Sequence, residues 1–251
     1  MVHDRCGVKF LPVPMKMFKT FLLLLAAGLV LLAGYYAVRA AFRPARYLHF
    51  MEFMRDPMAH SDWAVTAKQR CAGSPFQNPT DGYIGFLWGD SFRLGHSHQG
   101  LDIFGGRDPG ITPVYATYDG YMTRLEDWKS SLIIRVPSDP LHPGEQIWTY
   151  YTHMADENGT SYITSEFPPG ISEVFVKAGT LLGYQGNYSG TPNHPVGVHL
   201  HFSIVKDNGS GRFLNELEIK NTLDPSPYFN LPLNGKENKD VIPVCSTAAA
   251  K

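Results

Sequence analysis

The chain has 251 residues, 43% of them hydrophobic, with a formal net charge of −1 and 24 glycines and 19 prolines. That is enough apolar material for one packed domain with appendages. A nearly neutral chain without a basic stripe gives no reason to expect a nucleic-acid partner, and the scattered Gly and Pro exclude collagen and low-complexity classes while suiting short strands joined by turns.

The most biased stretch is N-terminal. Phe21 to Val38 contains no charge, and as a helix it would cover about 27 Å, close to the hydrocarbon thickness of a bilayer. A core helix of that length would show a polar face; this one shows none. Residues 1–20 are expected as a cytoplasmic leader and 21–38 as a transmembrane signal anchor. Arg5, Lys9, Lys16 and Lys19 in the leader favour the anchor. A cleaved signal peptide is the alternative, with Val38-Arg39-Ala40 as a passable processing site. Arg39, Arg43 and Arg46 flank the other side almost as heavily, so charge does not set the topology.

Residues 39–75 read as a connector with one short helix near Arg46–Met54. From Phe76 the character changes, and turn signals such as Asp119-Gly120, Pro143-Gly144 and Pro169-Gly170 separate short apolar runs. Candidate strands are Tyr83–Phe86, Gly100–Phe104, Pro113–Ala116, Gly120–Asp127, Ser131–Val136, Gln146–His153, Leu181–Gln185 and Val198–Val205. Strands at this spacing predict an all-β, antiparallel domain over 76–231, followed by a polar, loose tail over 232–251. Cys6 precedes the apolar stretch, whereas Cys71 and Cys245 both lie beyond it. A Cys71–Cys245 disulfide would pin the tail if the ends of the domain meet; two free thiols are the alternative.

Histidines carry the chemistry. His98 and Asp102 lie in GHSHQGLDIF, His153 in WTYYTHM at the end of an alternating strand, and His199 and His201 in VGVHLHFSI. In a strand, side chains two apart share a face at about 6.6 Å, so His199 and His201 project into one space. A straight strand would separate His98 from Asp102 by about 13 Å, too far to share an ion. His98 is therefore expected on a bend before the strand and Asp102 within it, with Gly100 permitting close approach. Two His and one carboxylate are a frequent ligand set for catalytic zinc. Taken singly, His-x-His and His-x-x-x-Asp are weak patterns more often structural than catalytic.

Their order is more specific. His98-Gln-Gly-Leu-Asp102, Thr112-Pro-Val-Tyr-Ala116 with Asp119-Gly120, Tyr151-Thr-His153, Gly179-Thr-Leu-Leu-Gly183 and His199-Leu-His201-Phe202 together resemble the lysostaphin/LytM-type zinc peptidases, over about Asp81 to Val205. The resemblance implies a compact, groove-bearing antiparallel β-sheet or sandwich and one zinc ion. It implies hydrolysis of peptidoglycan cross-links or stem peptides by an extracytoplasmic domain. Residue by residue, His98, Asp102 and His201 match the family's zinc ligands, and His199 and His153 its two non-ligand catalytic histidines.

Beside the ligand His201, His199 is expected to take the proton of the attacking water. His153 is expected to stabilise the oxyanion or orient the water, and Tyr151, on the same strand face, to add an oxyanion donor. The roles of the two histidines can be exchanged without conflict with the sequence. The rival reading is a catalytically silent wall-binding or amidase-activating protein of the same fold; a third is an export-linked peptidase acting on other substrates. His96 is assigned to the cleft rim. Ser203 stands where an acidic residue often follows the His-Phe step. The segments SDPLHPGEQ, NGTSYITSEFPPGISEV and GNYSGTPNHPVG are expected to rim the groove.

Overall fold

A computed structural model describes residues 15–41, 45–91 and 95–245; most of the leader, including Cys6, lies outside the described residues. The chain divides into two units, residues 1–43 and 44–251. In the first, helix α1 (Met15–Ala41) carries the apolar run. Its stretch Phe18–Tyr36, with a mean hydropathy of 2.0, is long and apolar enough to cross a membrane, and Leu23 and Leu31 are among its exposed side chains. Such a helix is a candidate signal anchor or signal sequence.

The second unit is built from strands β1 (Tyr83–Phe86), β2 (Leu101–Phe104), β3 (Pro113–Tyr115), β4 (Gly120–Thr123), β5 (Leu132–Val136), β6 (Ile147–Thr152), β7 (Val174–Val176), β8 (Leu181–Tyr184), β9 (Leu200–Lys206) and β10 (Thr222–Leu223). The main sheet runs β1-β2-β9-β6-β5-β4-β7, with β10 also on β9; β3 and β8 form a separate pair. All these strand pairings are antiparallel. The domain is thus mainly β, as the turn spacing predicts.

The eight candidate strands correspond to β1–β6, β8 and β9. Strands β7 and β10, of three and two residues, are too short to show an alternation. The predicted Gly120–Asp127 strand stops at Thr123 because Arg124 turns inward. Its buried guanidinium donates to the carbonyls of Phe167 at 2.8 Å and Trp128 at 3.0 Å, fixing the loops that follow.

Period-2 alternation sorts the two faces of the sheet. Leu101, Leu132, Ile134, Tyr151, Leu200, Phe202 and Ile204 enter the main core, each large apolar side chain contributing roughly 1.5–3 kcal/mol by burial. The opposite face carries a smaller cluster of Ile133, Trp148 and Val205. Asp102 pairs with His201, and Thr152 with His201, across the β2-β9 and β9-β6 ladders. The candidate site therefore sits on the second face, over the middle of the sheet.

Residues 44–75, expected as a connector, belong to the same compact unit as the strands. Helix α2 (Ala45–Arg55) buries Phe53 against Tyr83 at 5.5 Å between ring centroids, and Phe50 meets Phe104 edge-on at 4.6 Å. Arg46 is buried beside Asp90 and donates to the Asn238 carbonyl at 3.1 Å. The tail is held as well: Leu233 is fully buried and its carbonyl accepts from the Trp88 amide, while the Gly235 amide donates to the Trp88 carbonyl. Cys71 and Cys245 are joined by a disulfide with Cα atoms 5.2 Å apart, within the usual reach of such a bridge. The aromatic anchors of α2 contact the sheet in a pattern too short to read as amphipathic periodicity.

Candidate metal centre

His98, Asp102 and His201 are buried and form a group able to hold a metal ion. His98 lies on the bend before β2, Asp102 in β2 and His201 in β9. His98 Nε2 is 3.1 Å from Asp102 Oδ1 and 3.1 Å from His201 Nδ1; His201 Nδ1 is 2.8 Å from Asp102 Oδ1. Tetrahedral ligands at about 2.0 Å from zinc would stand about 3.3 Å apart, so the triangle fits one small ion. Gly100 makes the bend possible: a Cβ there would lie 2.2 Å from the Phe202 carbonyl oxygen and 3.0 Å from His201 Nε2.

The far side of each ring sets which nitrogen faces the centre. His98 Nδ1 is 3.0 Å from the Leu87 carbonyl. A carbonyl only accepts, so Nδ1 carries the hydrogen and Nε2 presents its lone pair inward. His201 Nε2 lies 2.8 Å from Glu216 Oε1 and donates to it, turning the Nδ1 lone pair toward His98 and Asp102.

The other two expected histidines stand beside this triangle. His199 Nδ1 donates to the Gly197 carbonyl at 2.6 Å, and His153 Nδ1 to the Tyr188 carbonyl at 2.6 Å. Both therefore turn Nε2 toward the cleft. His199 Nε2 is 3.5 Å from Asp102 Oδ1, its ring stacks on Phe104, and the His153 and His199 centroids are 4.5 Å apart. His153 follows directly after β6 with φ +71°. Gly186 makes room for that turn, since a Cβ there would meet the His153 carbonyl oxygen at 2.5 Å and the Ala155 carbonyl oxygen at 2.1 Å.

Electrostatics follow from burial and neighbours. Burial alone would raise the Asp102 carboxyl, but the neighbouring His98, His199 and His201 side chains hold it well below the usual range. Burial would lower His201, yet Glu216 and Asp102 push it up to about 10. Glu216 is lowered: burial opposes its charge, but His201 and Ser203 favour it. Burial and the neighbouring His199 and His201 press His153 down to about 3, which keeps it neutral.

An open cleft of ≈ 420 Å³ surrounds these groups. Its wall is rich in hydroxyls: Ser131 and Thr152 are 2.6 Å apart, and Tyr150 donates to Ser131 at 3.0 Å. Tyr188, Ser189, Gly190 and Val196, from the loop expected as a rim, also line it.

Tyr151 does not. It is fully buried, and its hydroxyl accepts from the Thr117 amide at 3.0 Å and meets Thr117 Oγ1 at 2.9 Å. The expectation that it shares the face of His153 assumes one straight strand. Strand β6 ends at Thr152, and the positive φ of His153 swings that side chain onto the face of Tyr150 and Thr152 instead. His96 is half-buried and outside the cleft lining. Glu216 is not legible in the sequence, because it reaches the site from an irregular loop beyond β9. The only hint is the serine at 203.

No family model and no curated protein matches the sequence. Solved structures do. Lysostaphin, an antimicrobial peptidase from Staphylococcus simulans, matches at 20% identity over 59% of this chain and 49% of its own, with a TM-score of 0.38. The chain is similar to lysostaphin-type peptidases. It spans about half the length of the lysostaphin chain it matches. A variant of the catalytic domain of the prophage-encoded M23 protein EnpA from Enterococcus faecalis matches at 21% identity over 59% of this chain and 95% of that one, TM-score 0.36. LytU matches at 22% identity over 69% and 97%, TM-score 0.36.

Proposed function

We propose that this chain is a zinc endopeptidase that hydrolyses peptide bonds of bacterial peptidoglycan, held outside the cytoplasmic membrane by Phe18–Tyr36 as a signal anchor. The observation that supports it best is the convergence of three lone pairs, from His98, Asp102 and His201, with two further imidazoles turned toward the same cleft. The wall substrate rests on the order of motifs in the sequence.

His98, Asp102 and His201 would hold the ion. Zinc bound there supplies Lewis acidity that polarises the scissile carbonyl and makes water acidic enough to act as a nucleophile near neutral pH. With Nδ1–H given to the Gly197 carbonyl, the Nε2 lone pair of His199 is free to take the proton of the attacking water and return it to the leaving amine. His153, neutral and fixed by the Tyr188 carbonyl, accepts a hydrogen bond from the same water and orients it. Buried surroundings strengthen each of these interactions relative to water.

The test is to measure zinc content of the purified chain and to analyse by mass spectrometry the fragments it releases from peptidoglycan. Stoichiometric zinc with newly exposed peptide termini is expected. Bound zinc without any released fragment would exclude wall hydrolysis and leave the silent and the export-linked readings.

A further inference from the structure

We infer that Glu216 is a positioning residue for the metal ligand His201: it holds the ring by its outer nitrogen so that Nδ1 faces the ion. The inference rests on the metal-site reading above and goes beyond it to a residue outside the matched motifs.

A histidine ligand bound through one nitrogen can rotate about its side-chain bonds unless the other nitrogen is held, and a carboxylate at that second nitrogen fixes both orientation and tautomer. His201 Nε2 lies 2.8 Å from Glu216 Oε1, on the side of the ring away from His98 and Asp102. The Glu216 side chain is only 14% exposed, so water competes poorly for this bond. Ser203, two residues after His201 on the same face of β9, donates to the same Oε1 at 3.2 Å. The serine does not supply the carboxylate from the strand; it helps hold one that arrives from a loop.

That loop is itself fastened near the site. Gln99, next to the ligand His98, donates through Nε2 to the Leu217 carbonyl at 2.8 Å. Asn215 Oδ1 accepts from the Leu217 amide at 3.1 Å, and the Asn215 carbonyl accepts from Asn221 Nδ2 at 2.8 Å. Glu216 therefore stands between two tied neighbours, one of them tied to the segment that carries His98. By contrast, the outer nitrogen of His98 is held by a backbone carbonyl, which no side-chain substitution removes. Glu216 is the outer partner of this ligand set that mutagenesis can reach directly.

Zinc affinity of the full chain, measured by competition with a chromophoric chelator, tests the role without using activity. Glu216→Ala should weaken zinc binding by about 10–100-fold in a protein that still unfolds cooperatively without metal. Glu216→Gln keeps an acceptor oxygen at similar reach but no charge, and should give a smaller loss. It also serves if the alanine variant does not fold. Folded variants that bind zinc as tightly as the unaltered chain would overturn the inference and leave the metal site standing. Failure of the unaltered chain to bind zinc would instead remove the reading on which it rests.

Discussion

The cleft contains two pairs of histidines held in different ways. His153 and His199 each give Nδ1–H to a backbone carbonyl at 2.6 Å, which aims the ring without adding charge. In the other pair, His201 is gripped between two carboxylates and His98 sits against one of them. A neutral clamp aims a ring without adding charge beside it, whereas carboxylates concentrate negative charge where a divalent cation could be held. On the function proposed above, the same residue type divides into proton carriers and ligands according to what stands behind each ring.

The largest effect that would break this division lies in the charged group. Asp102→Ala removes the carboxylate that touches both His98 and His201, leaving two imidazoles and no anionic donor. Zinc and peptidoglycan hydrolysis should be lost together, as read by metal analysis and a turbidity assay on purified wall. An Asp102→Ala protein that keeps stoichiometric zinc would dissolve the distinction between the pairs.

His199→Ala comes next. Its ring is not one of the three groups that converge on the metal site, so the ion should remain, while loss of a general base should lower turnover by about 10²–10⁴-fold. Equal zinc content with a reduced kcat supports the assignment. His153→Ala, measured in parallel, sharpens the comparison: a smaller loss than for His199 fits a residue that orients the water, and a larger one would exchange the two roles.

Much of this arrangement is legible in the order of residues alone. The alternation in LHFSIVK specifies one core face, Leu200, Phe202 and Ile204, and one site face with His201 and Ser203. His98 cannot reach Asp102 along a straight strand, which requires the bend that Gly100 allows. The expectation for Tyr151 fails because period-2 reasoning holds only while the strand continues, and His153 lies just past its end with positive φ. Glu216 and the packing of α2 are not legible for a related reason: both depend on long-range contacts made by irregular or short segments, where no local period encodes the partner.

A third, smaller effect should leave both histidine pairs untouched. The Cys71–Cys245 disulfide closes a loop with a sequence separation of 174 and pins the tail beside the opening of the domain. Cys245→Ser should cost about 2–4 kcal/mol of stability, mainly by relaxing the unfolded chain, as read by chemical denaturation under non-reducing conditions. Zinc affinity should not change, because neither cysteine lines the cleft. A parallel loss of zinc would mean that the tail supports the ligand loop.

The smallest effect belongs to the far edge of the sheet, where a charged pair lacks the burial that gives the site its grip. Arg135 on β5 reaches Glu173 before β7, with Nε 2.9 Å from Oε2, and lies over the Tyr121 ring at 4.7 Å. Glu173 is 45% exposed at its side chain, so solvent and salt screen the pair, and Glu173→Ala should cost less than about 1 kcal/mol. The stacking of Arg135 on Tyr121 survives that change and limits the loss further. The difference from the unaltered chain should shrink as salt is raised, with zinc affinity and turnover unchanged. A loss several times larger, independent of salt, would show that this edge strand contributes to the cooperative core, and that the contrast between a buried, oriented charge and a solvated one does not govern this sheet.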